Sequence, residues 1–329
     1  MRAAILVGIG GVDQIELRDL PEPAVGPGQI KVRVVATSIN PIDWKQREGM
    51  KRPGPPLQLP AILGRDASGE VVEVGAGVTR FLRGARVAGL VVGGYGERVV
   101  ANDEAWAEVP EGLGLLEAAA LPLVTLTGAQ LVEESLAPRP SDTVLVTGAL
   151  GSVGRAAVFA AKERGVRVWT GVRRNQREAA AALGVDGVVA LDDEADCRRL
   201  PKLDGIADTL GAYVTERLVD RVRPGGTIAS VASEPNNASA RGLEVRHHTA
   251  HPDPERLARL LRAVADGALV IPIARRFRLA QIREAQQCAE QGAGGKVIVQ
   301  VSACDWAASS SDASLTPIPR QRAHASRTS

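Results

Sequence analysis

The stretch whose spacing most directly implies chemistry is VLVTGALGSVGRAAVFAAKERGVRVWTGVRR, residues 144–174. An apolar run opens into Ala149, Gly151 and Gly154, spaced A-x-G-x-x-G, and an alanine-rich helical segment follows. A tight strand-to-helix turn needs a small first residue. A glycine at the second position lets backbone N–H groups reach a pyrophosphate, and one at the third lets helix pack on strand. The helix N-terminus adds partial positive charge. The turn Ala149, Leu150, Gly151, Ser152, Val153 and Gly154 is therefore expected to cradle a dinucleotide, although such turns elsewhere serve only to pack helix on sheet. The second strand ends in arginines where an acidic residue would bind the ribose hydroxyl of NAD. Arg173, Arg174 and Arg177 stand where the 2′-phosphate of NADP would lie, so NADPH is the expected cofactor; the alternative is a solvated arginine cluster.

Other chemistries are disfavoured. A net charge of +2 over 329 residues, with no block of Lys and Arg, does not suit a nucleic-acid partner. No run of 18 apolar residues suits a membrane span, and MRAAILVGIG lacks a cleavage-type segment, so the expected location is cytoplasmic. Cys197, Cys288 and Cys304 are far apart and fit neither a disulfide framework nor a zinc site. His247, His248 and His251 in RHHTAHPDPE are read as a solvated loop, with no cysteine nearby.

Positioning the glycine turn requires a doubly wound sheet, and the pattern around it supplies one. VLVTG, VRVWTG, DGVVAL, DGIADTL and GTIASVA alternate with helical stretches, including NQREAAAALG and AYVTERLVDRV, as parallel-sheet α/β units do. Upstream, QIELRDL, QIKVRVVATSI, SGEVVEVGAGV, RVAGLVV and GERVVAN read as short strands of a mostly antiparallel β-domain. LLEAAALPLVTLTGAQLVEESL is helical. The helices DPERLARLLRAVADGAL and LAQIREAQQCAEQGA and the strand KVIVQV depart from the alternation and look left over from the first domain. The expected division is 1–118, 119–252 and 253–301, with the polar segment 302–329 unable to bury a core and read as disordered.

Several motifs together resemble the medium-chain dehydrogenase/reductase superfamily, in its zinc-free quinone oxidoreductase (zeta-crystallin-like) branch. They are ATSINPIDWKQREG with its N-P-x-D, LGRDASGEVVEVGAGV with G-x-D-x-x-G-x-V, AAALPLVTLTGAQLV, TGALGSVG, LDGIADTLG, RPGGTIASVAS and GGKVIVQV. Ser152 stands where a glycine is commoner. The resemblance covers residues 1 to about 301. It implies a GroES-like β-domain, a Rossmann domain, a C-terminal return to the first domain, an active site in the cleft between them, and a homodimer.

Against zinc-dependent relatives, the catalytic cysteine falls on Asn40 and the His-Glu pair on Arg65 and Asp66. That set lacks thiolate and imidazole, so no metal site is expected. Without a Lewis acid, alcohol oxidation is poorly supported. Hydride addition to a quinone or an α,β-unsaturated carbonyl is easier, given donors for the developing oxyanion. The resemblance makes Asn40 the first candidate for positioning nicotinamide or substrate; alternatively its amide caps the turn before Pro41. Asp43, Lys45 and Arg65 are candidate wall residues, with Lys45 or Arg65 as enolate donor or as surface salt-bridge partners. Thr127 lies on the helix that faces the cofactor in relatives. Tyr95 is read as packing, and water as the proton source. A narrow biosynthetic enoyl reductase and a non-enzymatic nucleotide-binding protein are the alternatives. EGMKRPGPPLQLP is expected to frame the substrate mouth.

Overall fold

The computed structural model describes residues 1–50, 57–238 and 241–302. The chain begins with β1 (Arg2–Leu6), β2 (Ile15–Asp19), β3 (Gln29–Ile39), α1 (Pro41–Arg47), β4 (Ala61–Ile62), β5 (Asp66–Val74), β6 (Arg86–Leu90), β7 (Arg98–Asn102) and β8 (Trp106–Glu108). Rich in Val, Ile and Ala, β3, β5 and β6 pair antiparallel and are buried on both faces over most of their length. A small sheet β2-β1-β4 packs against the main one, with an isolated bridge between Ala3 and Gly96.

The helical run after residue 114 is broken where Pro122 enters, since its ring cannot continue a preceding turn. It forms α2 (Leu115–Ala118) and α3 (Pro122–Gln130), continues as a π-helical turn over Leu131–Leu136, and stops at Ala137 in the left-handed region. There follow β9 (Thr143–Thr147), α4 (Ser152–Glu163), β10 (Arg167–Val172), α5 (Arg177–Ala181), β11 (Gly187–Ala190), α6 (Glu194–Arg198), β12 (Leu203–Asp208), α7 (Ala212–Thr215), β13 (Val222–Ser230) and β14 (Glu244–His247). All strand pairs here are parallel, in the order β11-β10-β9-β12-β13-β14. Val144, Leu145 and Val146 of β9 are fully buried, each worth about 1.5–3 kcal/mol.

AYVTERLVDRV was expected to be helical throughout, but only Ala212–Thr215 forms an α-helical turn, with a 3₁₀ turn at Val219–Arg221. Val214, Thr215 and Val219 are β-branched, and the Thr215 hydroxyl turns back to the Gly211 carbonyl.

After α8 (Pro254–Ala265) come β15 (Ile273–Arg278), α9 (Ile282–Glu290) and β16 (Lys296–Gln300). β16 pairs antiparallel with β3, so the chain returns to the first sheet and completes the order β15-β16-β3-β5-β6-β8. Ser302, expected to begin a disordered tail, donates its hydroxyl to the Val34 carbonyl at 2.7 Å. The rest of that expected tail, with Cys304, lies outside the described residues, as do residues 51–56 of the expected substrate mouth.

Candidate functional site

The glycine turn joins β9 to α4. Gly148 adopts φ +63°, a conformation that favours glycine. A Cβ on Gly154 would lie 2.2 Å from the Gly148 carbonyl oxygen and 2.7 Å from Ala149 Cα, so helix and turn meet at backbone contact. Ala149 is buried, Gly151 is exposed, and Leu150, Ser152 and Val153 are half-buried. Arg155 N–H bonds to the Gly151 carbonyl, which leaves the N–H groups of Ser152, Val153 and Gly154 without helix partners. Gly151 provides no side-chain cap. Three N–H groups thus point out of an uncapped helix start, a fit to a pyrophosphate. Arg155, which sequence reading missed, folds its Nε back onto the Leu150 carbonyl at 3.1 Å and adds charge beside the turn.

β9 and β12 are neighbours, but the chain leaves them toward opposite sides of the sheet, which makes the gap beside the turn a topological switch point. Asp208 ties the strand ends there. Its carboxylate accepts from Thr147 Oγ1 (2.7 Å), Ser230 Oγ (2.7 Å) and the Gly211 N–H (2.9 Å). Thr209 donates its hydroxyl to the Thr147 carbonyl at 2.7 Å. An acidic residue ending a buried strand run, as in DGIADTL, is the signal that was available for Asp208.

The arginines at the end of β10 divide. Arg173 is exposed, and no ion pair to it occurs among the described residues. Arg174 is paired with Asp193, and Arg177 with Asp196 at 2.5 Å. The Asp196 N–H and the Arg174 guanidinium hold the Asp193 carboxyl below its usual range.

Across from α4, α3 is buried except at Leu123 and Thr127, which are four residues apart and share a face. The Thr127 hydroxyl bonds to the Leu123 carbonyl. A Cβ on Gly128 would lie 2.4 Å from the Val153 carbonyl oxygen, so α3 rests directly on the first turn of α4.

At the other end of α3 is a buried polar cluster. Asn40 and Asp43 form a capping box on α1: the Asn40 N–H donates to Asp43 Oδ2 at 2.8 Å. Asn40 Nδ2 donates to Asp66 Oδ2 at 2.8 Å, and Asn40 Oδ1 accepts from Lys296 Nζ at 2.6 Å. Asp66 Oδ2 also takes the Ser38 hydroxyl at 2.5 Å, and Asp66 Oδ1 takes the Leu123 N–H at 2.7 Å. Asp43, expected on the cleft wall, is instead fully buried and accepts the Tyr95 hydroxyl at 2.9 Å. Burial pushes the Asp43 carboxyl up to about 6, with Asp66 nearby adding to the rise. Burial also raises the Tyr95 phenol well above its usual value and lowers the Lys296 ammonium, the latter opposed by the Asp66 charge. Tyr95 is fully buried, with its hydroxyl used for a polar bond. Asn40 likewise has no exposed surface. Of the other expected wall residues, Lys45 is exposed on α1 and Arg65 is half-buried immediately before Asp66.

The Asn40, Arg65 and Asp66 positions offer no thiol or imidazole, and the Lys296 ammonium stands against Asn40 Oδ1, so this donor set does not fit zinc. Among the described residues, no group of three or more His, Cys, Asp or Glu side chains could hold a metal ion. The histidine segment is not simply solvated. His248 is buried with Nδ1 2.9 Å from Ser135 Oγ, and burial lowers its imidazole to about 4, while His251 meets Glu134 at 2.9 Å. A groove of about 360 Å³ near Asp204 and Arg223 lies at the opposite strand ends, and these two residues pair with each other. No helix among the described residues is long and apolar enough to cross a membrane.

Residues 26–111 match the family of the alcohol dehydrogenase GroES-like domain, and residues 183–299 the family described as zinc-binding dehydrogenase. The chloroplast envelope quinone oxidoreductase homolog of Arabidopsis thaliana is 35% identical over 189 residues, 55% of this chain and 57% of that protein. The match thus spans less than two thirds of that relative. A quinone oxidoreductase of Pseudomonas aeruginosa is 33% identical over 230 residues, 67% of this chain and 70% of its own. The solved quinone oxidoreductase from Coxiella burnetii superposes with a TM-score of 0.80 at 26% identity, covering 92% of this chain and 99% of that one. With a glycine turn at the switch point of one sheet and a β-domain closed by the returning chain, this protein belongs to the medium-chain dehydrogenase/reductase superfamily, in its quinone oxidoreductase branch.

Proposed function

We propose that the chain is an NADPH-dependent oxidoreductase that passes hydride to a quinone or an α,β-unsaturated carbonyl compound without a metal ion. The observation that carries this reading is the uncapped start of α4 at the switch point, where the N–H groups of Ser152, Val153 and Gly154 have no helix partner and Gly151 offers no side-chain cap. NADPH, when bound, supplies the hydride. The three N–H groups hold the pyrophosphate, with Ala149, Leu150 and Gly151 leaving room and Arg155 adding charge. Arg173 takes the 2′-phosphate, and the Leu123–Thr127 face of α3 forms the wall beside the nicotinamide. Arg65 stabilises the oxygen on which negative charge develops, with Lys45 as the other candidate donor. Asn40 and Asp43 act from behind the wall, and water returns the proton.

Metal-free chemistry is supported by the donor set, because an ammonium beside Asn40 Oδ1 repels a dication. The division of the chain at residues 118 and 252 is supported by sheet membership, since β15 and β16 join β3 while β9 to β14 form their own sheet. β14 ends that sheet, and its outer edge is the proposed homodimer contact, testable by light scattering.

The deciding experiment follows NADPH absorbance with quinones, enones and enoyl thioesters. Turnover across several acceptors supports the proposal, turnover confined to one enoyl thioester supports the narrower biosynthetic reading, and none defeats both. Stoichiometric zinc, with activity lost to chelator and restored by zinc, would overturn the metal-free part.

A further inference from the structure

Lys296 opens β16, and its ammonium is spent on the end of the neighbouring strand β3. Its Nζ lies 2.6 Å from Asn40 Oδ1, 3.2 Å from the Ile39 carbonyl and 3.6 Å from Asp66 Oδ2. It is the cation in a fully buried set that also holds the carboxyl groups of Asp43 and Asp66. Asp66 in turn does what α3 cannot do for itself. The residue at the start of α3 is Leu121, which has no side-chain acceptor, and the Leu123 N–H is taken instead by Asp66 Oδ1 from β5 at 2.7 Å. From there α3 runs to Gly128, where it meets the first turn of α4 at backbone contact. A continuous line of contacts therefore joins β16 to the glycine turn.

We propose that Lys296 is a positioning residue for hydride transfer: it fixes the Asn40 amide, keeps Asp66 available to cap α3, and through α3 sets the Leu123–Thr127 wall. The role in transfer rests on the function proposed above; the hold on α3 does not. A buried carboxylate is held by a charge partner and by donors to its oxygens. Lys296 supplies the charge 3.6 Å from Asp66 Oδ2 and fixes the Asn40 amide that donates to the same oxygen, while Asp66 receives Ser38, Asn40 and Leu123 together. Removing the ammonium also frees Asn40 Oδ1, so the amide can turn.

The test compares wild type with Lys296→Met, Lys296→Arg and the double variant Asp66→Asn/Lys296→Met, which removes both charges and guards against a single variant that does not fold. Two readouts are taken: amide hydrogen exchange at Leu123, with Ile206 and Ala207 of β12 as internal controls, and steady-state kinetics with NADPH and the acceptor the wild type uses best. In Lys296→Met, Leu123 exchange should rise about tenfold or more with the β12 amides unchanged. Its kcat should fall about tenfold or more while NADPH affinity stays within about threefold, a split that loss of fold would not produce. Arginine should restore both readouts to within about threefold of wild type. The double variant should fold and still show the lowered kcat, because Asn40 Oδ1 has lost its donor. Wild-type exchange and wild-type kcat in Lys296→Met, or in the double variant if the single one does not fold, overturn the proposal. A wild-type protein that turns over no acceptor defeats the oxidoreductase reading instead, and Leu123 exchange then still decides whether Lys296 holds α3.

Discussion

At the start of α4, the N–H groups of Ser152, Val153 and Gly154 have no helix partner and no side-chain cap; at the far end of α3, Asn40, Asp66 and Lys296 spend their polar atoms on one another. The first region is built of backbone donors around glycines, on a turn where Gly151 is exposed. The second is built of charged side chains and closed to solvent. On the proposed function, the difference separates binding from positioning. Unsatisfied backbone donors at a sheet switch point are stable only because water or an anion can reach them, whereas buried ions persist only if they satisfy each other. α3 touches both, through Gly128 at one end and Leu123 at the other.

Five substitutions would break or sharpen that contrast, taken from the largest expected effect. Gly154→Val places a side chain 2.2 Å from the Gly148 carbonyl oxygen, where no flexible group can yield. It should cost about 3 kcal/mol or more and abolish NADPH binding, read by thermal unfolding and cofactor titration. Unchanged stability would show that the turn is not close-packed.

Next comes the pH dependence of the closed cluster. The folded Asp43 carboxyl sits at about 6, above its ordinary 3.8, so the folded state holds that proton more tightly. Its contribution to stability is present below about pH 4 and is lost as pH rises through about 6. The interval corresponds to on the order of 3 kcal/mol. In urea unfolding, wild type should lose that stability relative to Asp43→Asn between pH 4 and 6, with the difference flat above 7. A constant difference across the whole range would mean that Asp43 is not held above its ordinary value.

Arg173→Ala should weaken NADPH by about 1.5–3 kcal/mol and leave NADH unaffected, while Arg174→Ala, already paired with Asp193, should cost less. Equal losses from the two would show that the Asp193 pair opens when cofactor binds. The smallest effect belongs to Gly151→Ala. Its Cβ would meet only the Gly148 carbonyl oxygen, at 3.3 Å, on an exposed turn, so stability should move by less than about 1 kcal/mol and NADPH affinity by only a few-fold. A loss as large as that of Gly154→Val would place the close contact at the wrong glycine.

How much of this was legible in the chain follows from how local each feature is. VLVTG-A-x-G-x-x-G reads as strand, turn and helix because eleven consecutive residues contain the whole device. The N-P-x-D segment also holds a local signal. Asn followed three residues later by Asp is a capping pattern, and it gives Asp43 an inward bond to the Asn40 N–H in place of the cleft wall expected for it. Tyr95 was legible as packing, but its bond to Asp43 was not, because 52 residues separate them.

By itself the sequence determined the parallel and antiparallel halves and the glycine turn, since hydrophobic period and small residues act over a few positions. Only the tertiary structure decided which charges meet. Lys296 reaches Asn40 across 256 residues, Asp66 caps a helix 57 residues on, and Asp193 and Asp196 take up Arg174 and Arg177 from the next strand crossing. No local pattern encodes those pairs, because a buried ion chooses its partner by where the packed backbones leave it, and that place exists only once β16 has returned to lie beside β3.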